Sequence, residues 1–125
     1  MRAQTQLARD LNPGTVALEL ALVIGPGGSV STFRGMGTEE GKPPRRTGPG
    51  QYTITLDQLY LGLVGFEPGM KRPAGVALVP TLRTENVSAS PIVVVETLNG
   101  STATDPNPGD VVFLKFKLDE LGLPF

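Results

Sequence analysis

The sequence predicts an all-β domain: an antiparallel β-sandwich, jelly-roll-like, with long Gly/Pro-rich loops and extended termini. Three observations predict it. Gly (16) and Pro (12) together stand at nearly twice their usual share of about 12%, which leaves little room for long helices. Apolar residues recur with a period of two in several short segments, the signature of strands with one buried face. Turn signals separate these segments every eight to twelve residues or so, the spacing of a double-sheet β-protein. At 125 residues the chain fits one domain and hides roughly two-thirds of the surface its unfolded form would expose.

Residues 1–13 are polar and end in the turn signal Asn12-Pro13-Gly14. They read as an N-terminal arm, either frayed or ordering against a neighbouring subunit, with Leu7 and Leu11 as its apolar contact candidates. The β-domain is expected over residues 14–120, followed by a C-terminal tail at 121–125. From Thr15 to Ile24, Leu18, Leu20, Leu22 and Ile24 share one face. Leu and Ala also favour helix, but the period of two decides for a strand. Gly25-Pro26-Gly27-Gly28 then turns the chain into a second strand, Ser29–Arg34, as a hairpin.

Gly35 to Gly50 lacks apolar periodicity and reads as one long loop, a length associated with function or disorder. Tyr52, Ile54 and Leu56 then alternate with Gln51, Thr53 and Thr55 in a half-buried strand. Leu59–Phe66 reads as a strand with a bulge or bend at Gly62 or Gly65, and Glu67–Gly75 as a second exposed loop. Pro80 assigns the strand Val76–Thr84 to a sheet edge. The β-branched run in Pro91–Leu98 belongs in a sheet centre. After a turn at Asn99-Gly100 and a polar loop to Gly109, Asp110–Leu118 closes the fold. Val112, Leu114, Phe116 and Leu118 point inward there, and Lys115 and Lys117 face water. Phe113 is expected in the core with Tyr52 and Phe116. The tail ends in Leu121, Leu123 and Phe125, apolar groups that need somewhere to pack.

The chain has no Cys and no His. This removes disulfides, thiolate metal sites and the commonest general base. No catalytic residues, cofactor or metal are expected. Glu39-Glu40 is an adjacent acidic pair in a Gly-rich loop and reads as solvated. Asp105 and Asp110 bracket a Pro-rich turn and read as caps of their own backbone. Gly25–Gly28 and Gly48–Gly50 lack the lysine and following helix of a phosphate loop. Asn86-Val87-Ser88 and Asn99-Gly100-Ser101 match a glycosylation sequon, incidentally in the absence of a secretory signal. No apolar run is long enough for a membrane span, and no membrane association is expected.

Net charge is −1, so any electrostatic partner must meet a local patch. Two basic clusters qualify: Lys42, Arg45 and Arg46 in the first loop, and Lys71 and Arg72 in the second. Arginine forks suit carboxylates and phosphates. A solvated loop and a protein contact are both open for these clusters. Without an aromatic array for base stacking, direct nucleic-acid binding is not expected.

Arg46-Thr47-Gly48-Pro49-Gly50-Gln51-Tyr52-Thr53-Ile54-Thr55-Leu56 resembles a segment of small β-rich proteins encoded among tailed-phage head genes. Val93–Pro106 and Gly109-Asp110-Val111-Val112-Phe113 continue the likeness, which spans roughly residues 46–118. Gly35–Lys42 has no counterpart in it. The resemblance implies a capsid decoration (cement) protein, a homodimer or homotrimer on the outside of a phage head. Such a protein would be made in the host cytoplasm and located on the virion. It would bridge subunits of the major capsid protein and help the shell resist packaged DNA. It brings no catalytic residues. Two other functions fit a β-domain of this kind. One is another virion part, such as a tail, neck or fibre-base protein; the other is a carbohydrate-binding β-sandwich.

Overall fold

The structure is a computed structural model and describes residues 14–119. The arm and tail, with Leu7, Leu11, Leu121, Leu123 and Phe125, lie outside the described residues. The described chain is nearly all β, in nine strands: β1 (Thr15–Ile24), β2 (Val30–Gly35), β3 (Arg45–Gly48), β4 (Gln51–Thr55), β5 (Gly62–Lys71), β6 (Val79–Glu85), β7 (Ile92–Asn99), β8 (Thr102–Ala103) and β9 (Val111–Asp119). One 3₁₀ turn, Pro26–Gly28, joins β1 to β2. Among these residues no helix is long and apolar enough to cross a membrane.

All pairings are antiparallel and form two sheets. The first has the order β2-β1-β9-β5; the second has the order β3-β4-β7-β6, with β8 paired to β7. The first strand therefore lies beside the last, Thr15 opposite Asp119 and Leu22 opposite Val112. The chain changes sheet between β2 and β3, β4 and β5, β5 and β6, and β8 and β9.

The inward faces of both sheets meet in a single core. Val16, Leu18, Leu20, Leu22 and Ile24 of β1 and Val112, Leu114, Phe116 and Leu118 of β9 are buried there. Tyr52 and Ile54 of β4, Val93 and Val95 of β7, and Leu56, Tyr60 and Val87 join them from the other side. Phe66 stacks on Phe116 with ring centroids 5.5 Å apart. Each buried Val, Leu, Ile or Phe side chain contributes about 1.5–3 kcal/mol by leaving water.

Three expectations are corrected. Gly35–Gly50 is not one long loop. Thr38 bridges Leu56, the Glu39 amide donates to the Thr55 carbonyl, and β3 pairs with β4. The segment is thus an edge of the second sheet with a short excursion around Gly41–Pro44. Its entry is tight: Gly37 has φ +88°, and a Cβ there would collide with the Leu18 side chain. Glycine lets the chain step from one sheet to the other hard against the core.

The strand expected at Leu59–Phe66 instead runs from Gly62 to Lys71, through Glu67-Pro68-Gly69, where the sequence predicts a loop. It lies at a sheet edge, where a proline's missing N–H costs no ladder bond. The bulge expected at its glycines falls between Leu63 and Gly65. Phe113, expected in the core, points outward and is 45% exposed. It shares β9 with the inward Val112 and Leu114, so the pleat places it on the opposite face.

Candidate functional site

Two hairpins of the second sheet meet in space. The hairpin of β3 and β4 turns at Gly48–Gly50, and the hairpin of β7 and β8 turns at Asn99–Ser101 and runs on to Thr104 and Asp105. Gly50 sits at φ +61°, and a Cβ on it would lie 2.6 Å from the Thr104 amide nitrogen. The first hairpin can approach the second only because this residue is glycine. The Thr97 amide donates to the Gly50 carbonyl at 2.8 Å, the Thr104 amide to the Thr97 carbonyl at 2.9 Å, and the Thr97 hydroxyl to the Thr104 carbonyl at 2.7 Å.

Asp105 closes the junction. Arg46 Nε and Nη2 donate to its two carboxylate oxygens at 2.9 Å each, and the Gly50 amide adds a bond at 2.7 Å. The Arg46 bonds hold the Asp105 carboxyl below its ordinary pKa, with the Gly50 amide assisting against partial desolvation. The same carboxylate raises the pKa of Arg46. Beneath them the Tyr52 hydroxyl donates to the Gly28 carbonyl at 2.5 Å. Burial first, and then the nearby Asp105 charge, push the Tyr52 phenol well above its usual range, so it remains a neutral donor.

Asp110 forms a second junction. Its carboxylate accepts from Arg72 Nε at 2.7 Å and from the Asn107 amide at 2.8 Å, while Arg72 Nη1 donates to the Val76 carbonyl at 2.5 Å. The pair is buried, with 11% of the Arg72 side chain and 2% of the Asp110 side chain exposed. Asp110 therefore does cap its own turn, through Asn107, but it also fastens the segment after β5 to the start of β9. Asp105 makes no bond to its own turn; its partners are 55 and 59 residues away.

Of the basic contact candidates, Arg46 and Arg72 are thus engaged with carboxylates of the same chain. Lys42 pairs with Glu39 at 3.1 Å in an exposed contact. Arg45 on β3 and Lys71 at the end of β5 are exposed. The two clusters do not form a single patch: Arg45 belongs to the edge of the second sheet, and Lys71 to the edge of the first. Glu39-Glu40 is likewise at the surface, with Glu39 held by Lys42. Among the described residues no group of three or more Asp, Glu, His or Cys converges on a point where a metal would sit. What these junctions can do chemically is hold: two charge-assisted networks pin Gly/Pro-rich loops to a β-core.

Asp105, Gly50, Thr97 and Asp110 were not singled out as joining elements by the sequence pattern. The available signals were local: Gly50 in a Gly-Pro-Gly turn, and Asp105 and Asp110 flanking a Pro-rich turn. Compared with known protein families, curated proteins and solved structures, the chain matches none.

Proposed function

We propose that this chain is a structural virion protein of the decoration, or cement, class. It binds the outside of a tailed-phage head and bridges subunits of the major capsid protein. The observation that carries this reading is the Asp105 junction. Arg46 and Gly50 from the first resembling segment grip Asp105 from the second, so residues 55 and 59 positions apart are held at one junction.

The fold is suited to such a role. We read the two sheets as a sandwich and their connections as a shortened jelly roll. In support, the first and last strands pair in one sheet, and the chain passes repeatedly from sheet to sheet around one core. The inward apolar faces of the two sheets are buried against each other. The arm, the tail, and the exposed Lys42, Arg45 and Lys71 then remain as contact groups, in a homodimer or homotrimer repeated over a symmetric shell. Individually modest contacts gain strength from that repetition.

Reconstitution tests the proposal. Purified protein mixed with bare, expanded heads is expected to bind and to raise the temperature at which packaged DNA escapes. Heads that remain bare, or that release DNA at an unchanged temperature, would remove the cement function.

A further inference from the structure

The outer face of the first sheet carries a depression of about 450 Å³, floored by three neighbouring strands and rimmed by the fourth. At its centre stands Phe113, the only aromatic side chain exposed among the described residues. The register explains why the ring is partly open, with 45% of the residue exposed. Phe113 on β9 lies opposite Ala21 on β1 and Gly69 on β5, with Arg34 of β2 beyond Ala21. A row of a small residue, a ring and another small residue puts no large side chain beside the ring across the strands. A Cβ at Gly69 would come within 3.8 Å of the Phe113 Cβ, in ordinary contact, so glycine there is not forced by crowding.

One step along the strands, Glu19, Lys115 and Glu67 form a parallel row, about 7 Å from the first. Neither these three groups nor Arg34 is held in an ion pair among the described residues. They stand around the ring as unengaged donors and acceptors.

We propose that this depression is a saccharide-binding site, with Phe113 as the stacking platform. A pyranose presents an apolar C–H face that fits an exposed aromatic ring and a rim of hydroxyls that fits charged side chains. Two features favour a neutral sugar over other occupants. The charges around the ring, two acidic and two basic, balance, which suits a polar, uncharged ligand better than a polyanion or an acidic peptide. The other exposed apolar side chains, among them Leu61, Val64, Val76, Val79 and Ile92, lie outside the depression, whereas a protein-docking face would gather them at its centre. The site occupies a strand face rather than the junctions or the termini, and it does not depend on the cement function.

The test is titration of the isotopically labelled full chain, followed by amide NMR. The probes are neutral hexasaccharides of α- and β-linked glucose, β-linked galactose and N-acetylglucosamine, with sulfated and uronate oligosaccharides and an acidic peptide as comparisons. The expected result is saturable shifts from at least one neutral sugar, centred on Ala21, Phe113, Gly69 and Lys115. F113A should weaken that binding about tenfold, the upper range for one aromatic contact. G69L, which builds a side chain beside the ring, should do the same while Phe113 remains. T53A on the outer face of the other sheet should change nothing, and each variant's amide spectrum reports whether it is folded. The assignment is overturned if no neutral sugar shifts these amides, if a polyanion or the peptide binds there more tightly, or if folded F113A and G69L bind as the parent does.

Discussion

Arg72 offers the sharpest test of how the loops are held. It donates to Asp110, whose carboxylate is 98% shielded from solvent, and the arginine side chain is itself only 11% exposed. Replacing Arg72 with Met removes both the Asp110 bond and the bond to the Val76 carbonyl. The carboxylate is then left with the Asn107 amide alone. Breaking a buried pair from one side costs about 3–5 kcal/mol. The lower end applies here, because the arginine reaches the rim and water can partly replace it. A loss of about 3 kcal/mol in a domain of this size lowers Tm by roughly 10 °C. It is measurable by calorimetry or by urea denaturation followed by circular dichroism. In the double variant R72M/D110N the buried charge is gone, and the amide oxygen can still accept from Asn107, so at least half of the loss should return. R72M within about 1 kcal/mol of the parent would refute the reasoning, as would a double variant no more stable than R72M. Either result would return Arg72 to the set of free contact groups.

Two further predictions concern the Asp105 junction. The Asp105 carboxyl titrates below its ordinary value of 3.8 in the folded chain. Its stabilising effect is therefore complete above that value and disappears as pH falls through the lower, folded one. D105N should be less stable than the parent at pH 7, with the gap closing below about pH 4; a gap independent of pH would count against the ion pair. Gly50 and Gly100 both sit at positive φ, +61° and +64°, but only Gly50 abuts the Thr104 backbone. G100A should cost about 1 kcal/mol and G50A at least about 1 kcal/mol more, as read from denaturant midpoints. Equal costs would show that the close approach of the two hairpins is dispensable.

The strands with clean alternation were legible because burial of one face imposes a period of two, which is visible without any partner. β1, β4 and β9 are of this kind, and β7 was legible from its β-branched run. Pro80 also marked β6 correctly as an edge, since the missing N–H has a local meaning. β5 escaped because Pro68 and Gly69 signal a turn in isolation, and only the pairing of Pro68 with Leu114 shows that an edge strand tolerates them. β3 escaped for a similar reason: four residues without an apolar face carry no periodic signal, and their order comes from β4 beside them. Phe113 was misassigned by residue type, although its own alternation with Val112 and Leu114 placed it outside. The Arg46–Asp105 and Arg72–Asp110 pairs, 59 and 38 residues apart, were not legible. The charges were visible, but which basic residue met which carboxylate depended on how the hairpins crossed.

The cement proposal makes one quantitative demand above the others: the protein must cover the shell. The measurement is its copy number per particle relative to the major capsid protein, by quantitative mass spectrometry of purified virions or saturated heads. The account predicts a fixed ratio close to one copy per capsid subunit, or to the simple fraction set by a dimer or trimer on the shell lattice. A handful of copies per particle, as expected for a neck, tail or fibre-base ring, would contradict it.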